Sequence, residues 1–305
     1  MKGKKTALVV LVLLLFAMIL FPMACISVPG RDKVAVIPLS GTITAGSSFF
    51  SSTITPEVVK EQLDRAERDR VVKAVVLRIE SPGGVVAPCQ EILEEIEKVK
   101  QSKPIVVSMG EQATSGGYYI SCKADKIVAL PGTLTGSIGV IAEIPNVQGL
   151  YEKLGIQMQI FKGGKYKDMY AGLRELTPEE REIMQEMVDV YYEQFVAVVA
   201  EGRGLSTEQV RNLATGQIYT GVEAKELGLV DELGGVDTAI NLAAQLAGVV
   251  SPEVEYYQQA RPSLRSLLGL ADIARLRLLG LSGQDIILLQ ILSNAYPQPQ
   301  YLYQS

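Results

Sequence analysis

The chain has 305 residues, 48% of them apolar, enough to bury one large core or two smaller ones. Its net charge is −5 with no basic patch, so nucleic acid is not an expected partner. Histidine is absent, which excludes every Ser-His-Asp and Cys-His arrangement and every zinc site built on imidazole; nucleophilic catalysis here needs Lys, a carboxylate or an amino terminus as base.

Lys2, Lys4 and Lys5 precede an apolar stretch over residues 7–26, broken only by Pro22. About 20 apolar residues match the hydrocarbon thickness of a bilayer. The basic flank predicts that this end stays in the cytoplasm, with the rest of the chain across the membrane. A cleaved signal peptide has a shorter apolar core of about 7–15 residues. A lipoprotein signal ending at Cys25 competes, although Pro22 stands where a branched aliphatic residue is expected. The preferred reading is an uncleaved single-pass anchor. It divides the chain into an anchor at 1–28, a folded domain at 29–250 and an assembly or docking segment at 251–305.

After the anchor, residues 33–40 read as a buried strand and 41–55 as a Gly/Ser/Thr-rich loop. Helical spacing of Val58, Leu63 and Ala66 marks a helix over 56–69. The run at 71–79 is continuously apolar, the pattern of a strand covered on both faces. It ends in Glu80-Ser81-Pro82-Gly83-Gly84, and a helix follows over 86–100. The apolar run 104–109 leads through a polar turn to Ser115-Gly116-Gly117, with a helix starting at Tyr118. Further strands are expected at 126–130, 135–141 and 156–161, with a short helix over 147–154. The loop at 162–175 is rich in Gly and Lys. Thr177-Pro178-Glu179-Glu180 then opens a long helix with a capping box, and Ile183, Met187, Tyr191 and Val198 form its buried stripe. Segment 216–235 holds a short helix and strand, and 264–292 is apolar with interspersed Arg. Strand and helix alternate as βαβ units on a mainly parallel sheet do. Cys25, Cys89 and Cys122 give no paired framework; they read as small buried thiols, with Cys89–Cys122 the one bridge that could form. No metal and no cofactor is expected.

Ser115 has two readings. It is an N-cap, since Ser is favoured there, or it is a nucleophile at a strand-to-helix turn where glycines let a substrate approach. Three glycine-bearing elements follow strands: Ser81 to Gly84, Ser115 to Gly117 and Gly136 to Gly139. In an open parallel sheet such loops gather around one crevice. Two backbone N–H groups from them can then form an oxyanion hole.

The segments RIESPGG (78–84), ATSGGYYIS (113–121), LTGSIGVI (134–141) and GKYKDM (164–169), with GQIYTGVEAKELGLVDELGG downstream, resemble the signal peptide peptidase A family of membrane-bound serine proteases. The resemblance spans roughly residues 33–248. It implies Ser115 as nucleophile, Lys167 as general base, Gly84 and Gly116 as oxyanion donors, and Ser137 holding the lysine amine. Lys162 and Lys165 compete with Lys167 in the same loop, and Ser81 is the next serine to test. Glu80 departs from the Asn that many relatives carry there. The resemblance further implies an α/β fold of the crotonase-like, Clp-protease-like type, with repeated ββα units behind one transmembrane helix. It implies a homo-oligomeric ring in which Ser and Lys come from neighbouring subunits, on the extracytoplasmic side of the bacterial plasma membrane. The implied substrates are signal-peptide remnants and other apolar peptides. A crotonase-type acyl-CoA enzyme and a catalytically inactive membrane scaffold are the alternatives.

Overall fold

Eight strands make one sheet, and its central members run parallel. The computed structural model describes residues 31–46, 52–258 and the backbone of 300–302. The expected anchor, Cys25 and the apolar segment 264–292 lie outside the described residues. Strand β1 (Lys33–Ser40) is followed by the two-residue strands β2 (Thr42–Ile43) and β3 (Thr53–Ile54) and by helix α1 (Pro56–Arg68). Then come β4 (Val72–Ser81), β5 (Gly83–Val85) and α2 (Val86–Lys100), so a ββα order occurs twice in succession. Strand β6 (Ile105–Thr114) leads into the four-residue helix α3 (Gly116–Tyr119). Next are β7 (Lys126–Ala129), β8 (Leu134–Gly136), α4 (Gln148–Lys153), α5 (Pro178–Arg203) and α6 (Thr207–Leu213). The chain continues with β9 (Ile218–Thr220), α7 (Gly221–Glu226), β10 (Glu232–Leu233), α8 (Val236–Leu246) and β11 (Glu253–Tyr256), and β12 covers Gln300–Leu302.

The sheet order is β10-β7-β6-β4-β1-β11, every neighbouring pair parallel, with β8 and β9 attached beyond β6. Alternation along each strand feeds two apolar layers. Ala35, Ile37, Val75, Leu77, Ile105 and Val107 face α1 and α2, which contribute Leu63, Ile92 and Ile96. Val34, Val36, Ala74, Val76, Val106 and Val128 face α8, through Ala239, Ile240 and Ala243. Burial on both faces is why β4 reads as an uninterrupted apolar run. A second, smaller sheet has the order β12-β5-β2-β3.

Helix α5 begins as its capping residues dictate: Thr177 accepts from the Glu180 amide, and the Glu180 carboxylate accepts from that of Thr177. Its fully buried face is Met184, Phe195, Val196 and Val199, with Ile183, Met187, Tyr191 and Val198 only half-buried beside it. Phe195 on that buried face stacks edge-on to Tyr119, ring centroids 5.2 Å apart. The strand expected at 156–161 is absent. Ile156, Met158, Ile160 and Phe161 are exposed, because among the described residues no strand pairs with them. The strand expected over 135–141 is only β8, since the backbone leaves the ladder at Gly136 and Ser137 with φ of 74° and 50°. The 41–55 loop contains β2 and β3. Cys89 and Cys122 are free and buried.

Candidate active site

Strand β6 changes partners along its length. Val106 to Ser108 pair with β7, and Gln112 to Thr114 pair with β8. The second pairing delivers Ser115 to the end of the sheet, where its amide donates to the Gly136 carbonyl at 2.8 Å and its carbonyl accepts from Tyr119 at 2.8 Å. The backbone there has φ 52° and ψ −117°. A non-glycine residue in such a conformation costs on the order of 1–3 kcal/mol, a strain that clusters at functional sites. Ser115 occupies the N-cap position of α3, yet its side chain makes no capping bond. Its Oγ is buried without a hydrogen-bond partner among the described residues, and the residue is 1% exposed. The capping reading therefore fails, and a buried hydroxyl is left with its bonding capacity unused.

Gly116 follows Ser115 directly, and Gly84 packs against Gly116. A Cβ on Gly116 would stand 3.0 Å from the Gly84 amide nitrogen, 3.2 Å from Gly83 Cα and 2.7 Å from the Cys89 thiol. A Cβ on Gly84 would collide with the Ile43 carbonyl oxygen at 1.9 Å. The two glycines are thus packed against each other with no room for side chains. The Gly116 amide opens a helix, where first-turn N–H groups have no intrahelical acceptor. Ser137 sits next to the carbonyl that Ser115 bonds, is 7% exposed, and donates its own amide to Gln217 O at 2.8 Å. Its φ of 50° makes it, like Ser115, a serine held in the left-handed region. Ser81 is spoken for: its hydroxyl accepts from the Gly83 amide at 3.1 Å and shapes the turn into β5.

Strand β12 pairs antiparallel with β5, Tyr301 opposite Gly84, and also lies against α3. An extended segment therefore runs along the strand that carries one of the two glycines.

Ser115, Gly84, Gly116 and Ser137 come together; Lys167 makes no hydrogen bond to any of them among the described residues. It is exposed in the 162–175 loop, its ammonium has no partner among the described residues, and Ser115 Oγ accepts nothing. The neighbouring lysines are engaged, Lys162 with Asp168 at 2.6 Å and Lys165 with Glu179. Arg174 braces the same loop by two bonds to Asp168, each 3.0 Å, and two to Glu180 at 2.6 and 2.7 Å. That guanidinium is the main reason the Glu180 carboxyl lies well below the usual carboxylate range, at about 2, and the Asp168 carboxyl is pulled lower still. Upstream of the loop, Leu150, Leu154, Met158 and Phe161 are 55%, 62%, 53% and 92% exposed.

Lys103, the one lysine among the described residues drawn downward by burial, precedes β6 at the end opposite Ser115. Its ammonium bonds the Ala66 and Asp69 carbonyls at the close of α1, a structural role. Sequence reasoning missed the Cys89 thiol beneath Gly116 and the pairing of β12 with β5. Neither leaves a pattern in the sequence, since both are contacts made across the fold.

The family model for peptidase family S49 matches residues 97–250. A putative protease of Synechocystis is 40% identical over 241 residues, covering 78% of this chain and 84% of that protein. The chain belongs to peptidase family S49. Other members include a putative protease of Methanocaldococcus jannaschii, 37% identical over 82% of this chain and 83% of its own. A putative signal peptide peptidase SppA of Enterococcus faecium is 40% identical over 69% of this chain and 62% of its own length. The S49 match contains Ser115, Gly116, Ser137 and Lys167, and Gly84 lies just upstream of it. A mixed α/β architecture with a mainly parallel sheet fits the fold of an S49 serine peptidase.

Proposed function

We propose that the chain is a membrane-anchored serine endopeptidase that degrades signal-peptide remnants, with Ser115 as nucleophile and Lys167 of a neighbouring subunit as general base. The observation that carries the nucleophile is the buried, strained, unpartnered Ser115 hydroxyl beside the paired glycines. A neutral lysine amine takes the Oγ proton as Oγ attacks the scissile carbonyl. The amides of Gly84 and Gly116 receive the oxyanion. Collapse expels the amine, which leaves with the proton from the lysine ammonium, and water then hydrolyses the acyl-enzyme by the same exchange. Ser137, one residue from the carbonyl that Ser115 bonds, holds the lysine amine.

An ordinary lysine is protonated at neutral pH, so a lysine base must be desolvated. Lys167 is exposed in the single chain and lacks a partner among the described residues, and the exposed Leu150, Leu154, Met158 and Phe161 stand upstream of its loop. Contact with a second copy through that apolar stretch would bury both, which supports a ring with shared sites. Peptide as substrate is supported by β12, an extended segment taken up antiparallel by β5. The name of the Enterococcus faecium relative supports signal peptides as the substrate class. The apolar stretch at 7–26 supports an anchor in the plasma membrane, the peptidase domain on its extracytoplasmic side.

The deciding experiment mixes Ser115→Ala and Lys167→Ala chains in one assembly and assays an apolar peptide. Each variant alone is inactive. Mixed rings regain activity, because some interfaces then pair an intact Ser115 with an intact Lys167. No recovery in verified mixed rings would place both residues in one subunit and refute the shared site.

A further inference from the structure

Between Ile79 and Ser81, strand β4 advances by two residues while its partner β6 advances by four. Ile79 pairs with Met109 and Ser81 with Ala113. Glu80 alone therefore faces Gly110, Glu111 and Gln112, a bulge wider than the usual single extra residue. This bulge is where β6 leaves β7 and turns to β8, five residues before Ser115. Its backbone groups have lost the ladder to β4, and side chains replace it. One oxygen of the Glu80 carboxylate accepts from the Glu111 amide at 2.8 Å, and the other accepts from the Gln112 amide at 2.9 Å. Thr133 Oγ1 donates to the Gly110 carbonyl at 2.6 Å, and Arg78 donates to the Met109 carbonyl at 2.8 Å. A Cβ on Gly110 would stand 1.7 Å from the Glu80 carboxylate, so the bulge closes directly onto that group.

We infer that Glu80 is a positioning residue for the reaction: its two-oxygen grip on the bulge sets the angle at which β6 presents Ser115. The inference rests on Ser115 being the nucleophile. Only a carboxylate supplies two acceptor oxygens to two adjacent amides; an amide side chain has one oxygen, and its nitrogen would face an N–H. Glu80 itself touches neither Ser115 nor the paired glycines. Its effect travels through Gln112 to Thr114, whose register on Leu134 to Gly136 fixes the Ser115 to Gly136 bond. A displacement of about 1 Å in a reacting group can cost about 10²-fold in rate.

The test compares Glu80→Gln and Glu80→Ala with wild type in the full assembled protein. It measures kcat and KM on an apolar peptide, and the rate at which a fluorophosphonate labels Ser115, mapped by mass spectrometry. Glu80→Gln lowers kcat and the labelling rate together by about 10-fold, and Glu80→Ala by about 100-fold, with KM and the pH profile unchanged, well below the melting temperature. Labelling and kcat within twofold of wild type in Glu80→Gln overturn the inference, even if the melting temperature falls, since Glu80 is then only a fold contact. A raised KM at constant kcat also overturns it, in favour of a substrate contact. Should Glu80→Ala not fold, Glu80→Gln, nearly isosteric, decides alone. Wild-type label on a residue other than Ser115 refutes the nucleophile assignment instead, which keeps the two failures distinct.

Discussion

The thiol of Cys89 lies directly beneath Gly116, 2.7 Å from where a Cβ on that glycine would stand. Helix α2 thereby forms the floor of the site, and the same absent side chain leaves room beside the Gly84 amide nitrogen, which lies 3.0 Å from that position. Gly116→Ala is expected to destabilise the protein, since overpacking of a filled site costs about 1–3 kcal/mol, and to lower kcat about 10²-fold or more by obstructing an oxyanion donor. Cys89→Ala added to it makes room below the new methyl and restores much of the melting temperature. It leaves the Gly84 amide obstructed, so activity stays low. Recovery of activity in the double variant would show that Gly84 is not a donor.

Replacing Ser115 separates stability from turnover. Ser115→Ala is expected to lose at least about 10³-fold in kcat while assembling normally, because the hydroxyl makes no bond that folding needs. Ser115→Gly is equally inactive but melts higher, since glycine relieves the cost, about 1–3 kcal/mol, of φ 52°. Thermal unfolding of the two variants checks this, and a glycine variant no more stable than the alanine one would mean that the turn is unstrained.

Acid should release the 162–175 loop. Folding depresses the carboxyls of Asp168 and Glu180, Glu180 to about 2, mainly through Arg174. A group with a depressed folded value contributes stability above its unfolded value, near 4 for a carboxyl, and loses it as pH falls through the folded one. The wild type therefore loses this contribution between about pH 4.5 and 2. Arg174→Met removes most of it already at neutral pH. Melting temperatures of the two as a function of pH should converge toward pH 2; a constant gap would mean that the ion pairs contribute nothing.

Both described thiols should resist alkylation. Cys89 and Cys122 are buried, and burial pushes Cys122 up to about 12 and Cys89 further. Iodoacetamide at pH 8 is expected to leave both unmodified in the folded protein and to modify both in urea, with no loss of activity in the first case. Mass spectrometry after labelling checks it.

Removing residues 293–305 should free the strand that carries Gly84. Segment Gln300–Leu302 pairs with Gly83–Val85, so a peptide using that edge competes with it. The truncated protein is expected to show a lower KM for an added peptide at the same kcat. An unchanged KM would place the substrate elsewhere.

Much of the frame was legible in the sequence because it is local. Strand β1 and helix α2 fall on the residues that their patterning predicts, and Thr177 and Glu180 announce the start of α5. Ser115 was legible as a strand-to-helix turn, although the helix starts at Gly116 and runs only four residues. What the sequence could not show are relations across the fold. The pairing of Glu80 with a bulge thirty residues on leaves no periodic mark. Segment 156–161 alternates as a strand does, but pairing needs an edge, and the described residues offer it none.

The side of β5 that β12 occupies recognises main chain before it recognises side chains. Antiparallel pairing there needs a partner whose own N–H and C=O groups are free over several consecutive residues. The strands of a folded protein have already spent those groups on their neighbours, and its helices have spent them internally. On the proposed function, a peptidase that takes its substrate along β5 is blind to native structure: what protects a protein from it is being folded, and what exposes a peptide to it is having no fold to enter.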